Sequence, residues 1–556
     1  MTEFLQFKKS NCKHCYKCIR HCPVKAISFS ADQALILPDE CVLCGSCYAI
    51  CPQNAKSVRD DIPKVRNMIS AGHKVIASLA PSYAANYRNT SIKTMTDALK
   101  KLGFYDCEET AVGATIVKNR YNEMVKNNEQ SVIISSCCHS VNTLIQKHFP
   151  EALPYLAKVL SPMLAHGRRI KSETPGAKTV FIGPCISKKE EAQIYVGMID
   201  AVLTFEELSA WLMQENVIIQ QGIEDRQIGK ARLFPVTGGV LQTMDTGVPN
   251  YEFVAVDGIE NCIDAIRDVL SGAITNCFIE MSACSGVCIS GPAMDRHHSI
   301  RGYVAVRKNA GEHDFELTMP ESRHLFKDIS FANRVEQRIS DDDIERVLIR
   351  MGKTSPEEEL NCGSCGYNTC REKAAAVLLG KAEINMCLPY LMEKTQSFSD
   401  NVINNSPYGV IVLSESFMIQ QINNAACSLF NIEDEQKMLG LGVERILDRA
   451  YFVDVLKSGI NTYEVPVYLR DVKLYVTLTI LHDKSNSILI SIIRDVTEIE
   501  NARKSREQLG RKAVAITDKV IEKHMRTVQE IASLLGETTA ETQIALTTLK
   551  ETIQNE

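Results

Sequence analysis

Nothing in the 556 residues approaches the roughly 18 consecutive apolar residues that a membrane-spanning helix needs. The opening stretch, MTEFLQFKKSNC, also lacks the apolar core of a secretory signal. From both absences we expect a cytoplasmic protein that does not span a membrane. Positive charge is not in surplus: the formal net charge is −6. No basic face is left over for a polyanion, so nucleic acid is not an expected partner. With 45% hydrophobic and 23% charged residues the chain has the composition of a soluble globular protein. Its length exceeds what one core can organise, and about three to five domains are expected.

What the chain has in quantity is cysteine. There are 21, and most stand in tight clusters instead of the scattered pairs of a disulfide scaffold, which in a reducing compartment reads as metal ligation. Cys12, Cys15, Cys18 and Cys22 form C-x2-C-x2-C-x3-C followed by Pro23, and Cys41, Cys44, Cys47 and Cys51 repeat the run ahead of Pro52. This resembles the bacterial two-cluster ferredoxin pattern, in which the fourth cysteine of each run serves the other cluster. The resemblance implies one [4Fe–4S] cluster on Cys12, Cys15, Cys18 and Cys51, and a second on Cys41, Cys44, Cys47 and Cys22. A zinc site would need only four sulfurs and no duplicated run.

Between residues 61 and 345, three short apolar runs each lead into a loop: KVIASLAP (74–81), SVIISSCC (131–138) and TVFIGPC (179–185). Such runs suit parallel strands covered on both faces, and helical patterns between them predict an α/β architecture. Ligand sites in such folds gather beyond the carboxyl ends of the strands, where two of these runs place cysteines.

SSCCHS (135–140), GPCISKKEE (183–191) and EMSACSGVC (280–288) resemble, in order and spacing, the three active-site motifs of [FeFe]-hydrogenases. Ala80-Pro81-Ser82 and Thr237-Gly238-Gly239-Val240 match further stretches of that catalytic domain. The resemblance implies that Cys138, Cys185, Cys284 and Cys288 hold the cubane of an H-cluster, with Cys288 bridging to a two-iron subsite. It makes Cys137 a proton-passing thiol and Lys188 a donor to a cyanide ligand, with Pro81, Ser82 and Glu191 close by. An iron centre with anionic ligands asks for a buried cation and fixed donors, and a thiol can exchange a proton. The plain alternatives are a buried structural thiol and a lysine of a surface charge run. Cys107, Cys262, Cys277 and Cys427 fit no motif and read as small core residues.

The pattern also departs from that family. His139 stands where proline is usual, Val141 replaces a tryptophan, Ser282 a methionine and Met163 a glutamine, and the stretch after the third motif shortens to ISGP (289–292). The helix expected over 111–122, AVGATIVKNRYN, carries none of the acids that serve as a proton path in bulk-turnover members. These departures imply slow turnover. His139 either fills the space left by proline or offers a donor to the site.

Cys362, Cys365, Cys370 and Cys387 form C-x2-C-x4-C-x16-C over residues 346–394. The segment resembles the small [4Fe–4S] domain of certain electron-transfer and corrinoid proteins, with structural zinc as the alternative. From 395 to 500 the chain resembles a PAS domain. FSDNVINNSPYGVIVLSESFMIQQINNAACSLF reads as helix, two strands and helix, and VKLYVTLTI (472–480) alternates with period two before a turn at Asp483–Asn486. A small α/β packing domain is the alternative. In the tail, 501–556, Val514, Val520, Ile521, Val528, Ile531 and Leu535 follow three- and four-residue spacing, which predicts a coiled-coil or bundle seam. Gly536 is expected to end a first helix, and Thr538 with Glu541 to cap a second. His524 invites comparison with a phosphoacceptor, but no ATP-binding pattern follows it.

The expected fold is thus multidomain α/β: a ferredoxin domain over 1–60, an H-cluster domain over 61–345, a [4Fe–4S] segment over 346–394, a PAS domain and a helical tail. The leading functional expectation is a hydrogen or redox sensor that reacts with H2 and protons at the H-cluster. It would signal to a partner protein such as a kinase or phosphatase through its C-terminal region, as a homodimer. Two alternatives stand beside it: a hydrogenase exchanging electrons with ferredoxin, and an electron-transfer or assembly scaffold without the two-iron subsite.

Overall fold

Five consecutive residues, Val75–Leu79 (β1), are buried on both faces, as their unbroken run of small and apolar side chains requires of a central parallel strand. The computed structural model describes the chain apart from residues 1–3, 9–10, 31–32, 88, 223–226, 296–298, 319, 332–338 and 555–556. It divides into two units, Met1–Leu391 and Met392–Glu556.

The first unit is built round two parallel sheets. The elements that position the site include β2 (Asp106–Glu109), α1 (Thr110–Lys126), β3 (Val132–Ile134), α2 (His139–His148), α3 (Pro162–Glu173), β4 (Lys178–Gly183), α4 (Ser187–Ile194), β5 (Ala201–Thr204), β6 (Glu252–Asp257) and β7 (Cys277–Ser282). One sheet runs β2-β1-β4-β5 and the other β6-β7-β3. The three apolar runs of the sequence are all parallel strands, but β3 lies in a different sheet from β1 and β4. Register decides what meets at the carboxyl ends. Leu79 pairs with Ile182, so Ala80-Pro81-Ser82 and Gly183-Pro184-Cys185 emerge side by side. Ile134 pairs with Ile279, which brings Ser135–Cys138 out beside the third motif.

The helix expected over 111–122 runs from Thr110 to Lys126 and takes in Glu123, whose carboxylate turns outward to Arg120. Ser161 caps α3, with Pro162 in its first turn, where a missing N–H costs nothing.

The N-terminal segment closes on itself through antiparallel pairing of Leu5–Phe7 with Lys56–Val58. It also presses on the loop after the third motif. Gly45 has φ +76°, and a Cβ there would stand 2.4 Å from the Cβ of Pro292, so only glycine permits this approach. Residues 362–387 pack against the same N-terminal segment. Lys25 donates to Gly366 O at 2.8 Å, Lys381 pairs with Glu40 at 2.6 Å, and Ile19, Leu43, Cys365 and Tyr367 share one apolar cluster.

In the second unit, β8 (Gly409–Ser414), β9 (Ile419–Ile422), β10 (Thr462–Leu469), β11 (Leu474–Asp483) and β12 (Ile488–Asp495) form an antiparallel sheet ordered β9-β8-β12-β11-β10. The alternation read in 472–480 is real: Val476, Leu478 and Ile480 are buried. Asp483 accepts the Ser485 N–H at 3.0 Å and turns the chain into β12. The strand Thr462–Leu469 leaves no signal in the sequence, because its residues are largely exposed and show no clean alternation. The expected pair of tail helices is corrected to one: α5 is continuous from Thr497 to Gln554. Gly536 is absent from the positive-φ residues, and the roughly 1 kcal/mol that glycine costs a helix is too little to break one flanked by good helix formers. Among the described residues no helix is long and apolar enough to cross a membrane.

Candidate functional site

The carboxyl ends of β1, β3, β4 and β7 surround one cavity. Pro81, Ser82, Cys137, Cys138, His139, Met163, Cys185, Lys188, Glu280, Ser282 and Cys288 all line it. Cys284 lies on the far side of this group and faces a second space, which it shares with Cys44. Electrostatically Cys284 neighbours Cys185, Cys138 and Cys288, and also Cys44.

Burial, then the nearby Cys185 and Cys138, push the thiols of Cys284 and Cys288 far up. Four sulfurs in such a place become thiolates only if positive metal charge offsets the cost. Among the described residues no three His, Cys, Asp or Glu side chains close on a point that would hold a single metal ion. A [4Fe–4S] cube asks for something else, one thiolate at each corner iron around a volume.

Beneath the cavity sits a buried charge cluster. Glu191 is fully buried and receives Lys188 and Lys327, each at 2.5 Å, and Ser161 Oγ at 3.0 Å. Burial opposes its carboxylate, yet Lys188 and Lys327 hold it well below the usual carboxylate range. Burial also opposes the charge on Lys188, but Glu191 outweighs it and the pKa rises. Burial pulls the Lys327 pKa down while Glu191 opposes it. With both lysines protonated, two ammonium groups against one carboxylate leave a positive balance under the cavity. Lys188 spends a second hydrogen bond on Cys137 O at 3.0 Å. Ser82 Oγ is buried on the cavity wall with no protein partner. Net positive charge, an unmatched hydroxyl and four thiols fit an anionic iron–sulfur group with polar ligands.

Cys137 is pushed up to about 12, by burial first, while the Tyr121 hydroxyl and Lys188 pull the other way. Tyr121 Oη lies 3.3 Å from Cys137 Sγ and 3.1 Å from Ser136 Oγ. His139 bonds Glu190 at 3.0 Å through Nε2, and burial lowers its pKa. Glu280 has no spacing signal of its own, although it lies inside the third motif. Burial raises it to about 7 against the backbone N–H groups of residues 238–241. Lys327 carries no sequence signal at all, since HLFKDIS has no pattern around it.

The other cysteines assemble as follows. Cys12, Cys15, Cys18 and Cys51 line one small space. Burial raises the Cys18 pKa, and the other three thiols act on it. Cys22 and Cys47 are raised by burial and surrounded by Cys41 and Cys44. Cys365 neighbours Cys387 and Cys362, and Cys370 shares a core with Cys387. Tyr367 stands between two sets: burial raises it, and both Cys365 and Cys22 act on it. Cys107, Cys262, Cys277 and Cys427 are buried.

Residues 73–292 match the family described as iron-only hydrogenase large subunit, C-terminal domain. Residues 4–52 match the 4Fe-4S dicluster domain and residues 358–389 a family of Fe–S cluster segments. The periplasmic [Fe] hydrogenase large subunit of Nitratidesulfovibrio vulgaris is 26% identical over 388 residues, covering 55% of this chain and 91% of that protein. The cytosolic Fe-S cluster assembly factor NAR1 of Encephalitozoon cuniculi is 22% identical over 352 residues, covering 57% and 96%. A variant of the [FeFe]-hydrogenase HydA1 from Chlamydomonas reinhardtii is similar over 48% of this chain and 92% of its own, at 17% identity and a TM-score of 0.36, a likeness too slight to carry an argument. The matched domains make this an iron–sulfur protein, and residues 73–292 carry a domain of the iron-only hydrogenase large-subunit family.

Proposed function

We propose that the chain carries an H-cluster in the cavity of Cys138, Cys185 and Cys288, with Cys284 behind it, and reacts with H2 there as a cytoplasmic hydrogen or redox sensor. The observation that carries this reading is the buried Lys188–Glu191–Lys327 group set under a cavity lined by four cysteines. When bound, the group would supply the chemistry that interconverts H2 with two protons and two electrons. The chain's own residues do the rest. Lys188 and Ser82 offer donors to polar ligands, and the cysteines supply thiolates. Cys137 Sγ holds a proton at the cavity wall, oriented by Tyr121. Glu280, near neutral titration, holds another. The space shared by Cys44 and Cys284 sets the ferredoxin-type cysteines beside the site, as an electron route needs.

In this reading the five-stranded sheet of the second unit is a PAS domain, and α5 joins two copies into a homodimer that addresses a signalling kinase or phosphatase. Exposure of Val520, Ile521, Val528 and Ile531 along α5 supports a docking role. The assembly factor among the relatives favours a second reading, a scaffold that never receives the two-iron group. Infrared spectroscopy of the anaerobically matured protein, cycled between argon and H2, separates the two. Carbonyl and cyanide bands that shift under H2 support the sensor. Their absence, with iron–sulfur content intact, leaves the scaffold. Rapid hydrogen evolution in a dye assay would instead make it a metabolic hydrogenase working with ferredoxin.

A further inference from the structure

Register places Ser78 on β1 opposite Glu108 on β2, and α3 lays His166 across both. The imidazole is fully buried and both of its nitrogens are engaged. Nδ1 lies 2.7 Å from Ser78 Oγ and Nε2 lies 3.3 Å from Glu108 Oε2. Ser78 Oγ in turn lies 2.8 Å from Thr110 Oγ1, and Thr110 lines the cavity. At the far end the Glu108 side chain is 35% exposed, so the chain of contacts runs from cavity wall to solvent. Its packing is tight. Gly113 of α1 faces α3 so closely that a Cβ there would stand 2.2 Å from Pro162 O and 2.8 Å from His166 Cβ. The backbone that carries the imidazole is therefore held close against α1.

By contrast, the contacts that start at Cys137 turn inward. Tyr121 passes to Ser136, and Ser136 Oγ donates to Val159 O at 2.8 Å, a carbonyl that can accept a proton contact but cannot relay one.

We propose that Thr110, Ser78, His166 and Glu108 form a proton relay between the cavity and solvent. The inference rests on the reading of the cavity as a site that consumes and releases protons. In the outward direction Thr110 takes a proton on Oγ1 and gives its own to Ser78 Oγ. Ser78 gives its own to His166 Nδ1, and the ring releases the Nε2 proton to Glu108, which yields it to water. Each hop breaks one O–H or N–H bond and makes another, so one proton moves and no electron does. Rotation of the two hydroxyls and exchange between ring tautomers restore the starting arrangement. A histidine between a hydroxyl and a carboxylate suits this, because its two nitrogens can exchange donor and acceptor roles. Hydrogen evolution runs the same route inward.

The test uses the full chain with its clusters and two-iron group. His166→Gln, Ser78→Ala and Glu108→Gln should each lower turnover in both directions by about tenfold or more and enlarge the solvent isotope effect. Iron content and carbonyl band positions should stay unchanged, Ser78→Thr should restore the rate, and Glu123→Gln on the outer face of α1 should leave it alone. Turnover within about twofold of the parent in both Ser78→Ala and Glu108→Gln overturns the relay. Should the parent show no reaction with H2, the functional reading fails, and the relay is decided separately without the two-iron group. On 15N-histidine-labelled protein, exchange of the His166 ring proton with deuterated solvent should slow by about tenfold in Glu108→Gln, and an unchanged rate overturns it.

Discussion

Lys327 Nζ lies 2.5 Å from Glu191 Oε1, and neither side chain is more than 1% exposed. The other carboxylate oxygen belongs to Lys188, so one anion keeps two buried cations in place. Glu191→Gln would leave those cations facing each other without an offset. We expect a loss of about 3–5 kcal/mol, the scale for removing one partner from a buried ion group, read as a fall in thermal unfolding temperature under anaerobic conditions. Lys327→Met should cost less, because Lys188 still answers Glu191. A Glu191→Gln protein as stable as the parent would mean the lysines are not both charged.

Glu280 predicts a pH dependence of opposite sense to that of a paired carboxylate. Its pKa rises from 4.5 to about 7 in the fold, through burial. A raised carboxyl pKa means the native state holds the proton more tightly than the unfolded chain. Its contribution to stability is therefore full below about pH 4.5 and lost as pH climbs through about 7. The swing is on the order of 3 kcal/mol. In Glu280→Gln that part of the decline between about pH 5 and pH 7.5 should vanish, which denaturant unfolding at several pH values would show. An identical pH profile in parent and variant would place the carboxyl in water.

Cys288→Ala should remove carbonyl and cyanide infrared bands while leaving the signals of the ferredoxin-type clusters. Cys288 lines the cavity with Cys138 and Cys185, whereas Cys12, Cys15, Cys18 and Cys51 line a separate space in the N-terminal segment. Retained bands that still shift under H2 would refute the ligand assignment.

The parts of this architecture legible in the sequence are those with local spacing. Cysteines two or three residues apart announce themselves because one short loop must wrap one metal group. Val75–Leu79 and Lys178–Gly183 announce themselves because a doubly covered strand is dominated by small and apolar side chains on both faces. Lys327 stands 136 residues from Glu191, and nothing around it distinguishes a lysine that closes a buried charge cluster from one in water. His166 is silent for a similar reason: its partners Ser78 and Glu108 come from two strands brought into register only by the sheet. Glu280 stands in plain view within a motif, but its titration depends on backbone N–H groups of residues 238–241 that spacing cannot place.

Removal of residues 395–556 should leave iron content, infrared bands and hydrogen reactivity nearly unchanged. The two units are separately compact, with Met1–Leu391 containing every cysteine assigned to a cluster. Loss of bands or of iron on truncation, judged beside the full chain, would make the second unit part of the active-site fold.

Gly536 offers a test whose sign differs between the two readings of the tail. If the residue ended a helix, its backbone would be left-handed, and alanine there would add strain and destabilise. In the structure it lies within α5, is not among the positive-φ residues, and a Cβ would meet nothing within 4 Å. Alanine should then fit without cost and remove the excess flexibility that glycine gives the unfolded chain. Gly536→Ala is expected to stabilise the local helix by about 1 kcal/mol, seen as slower amide hydrogen exchange around residues 530–545. Faster exchange in the variant would mean that the chain turns at 536 and that two shorter helices replace α5.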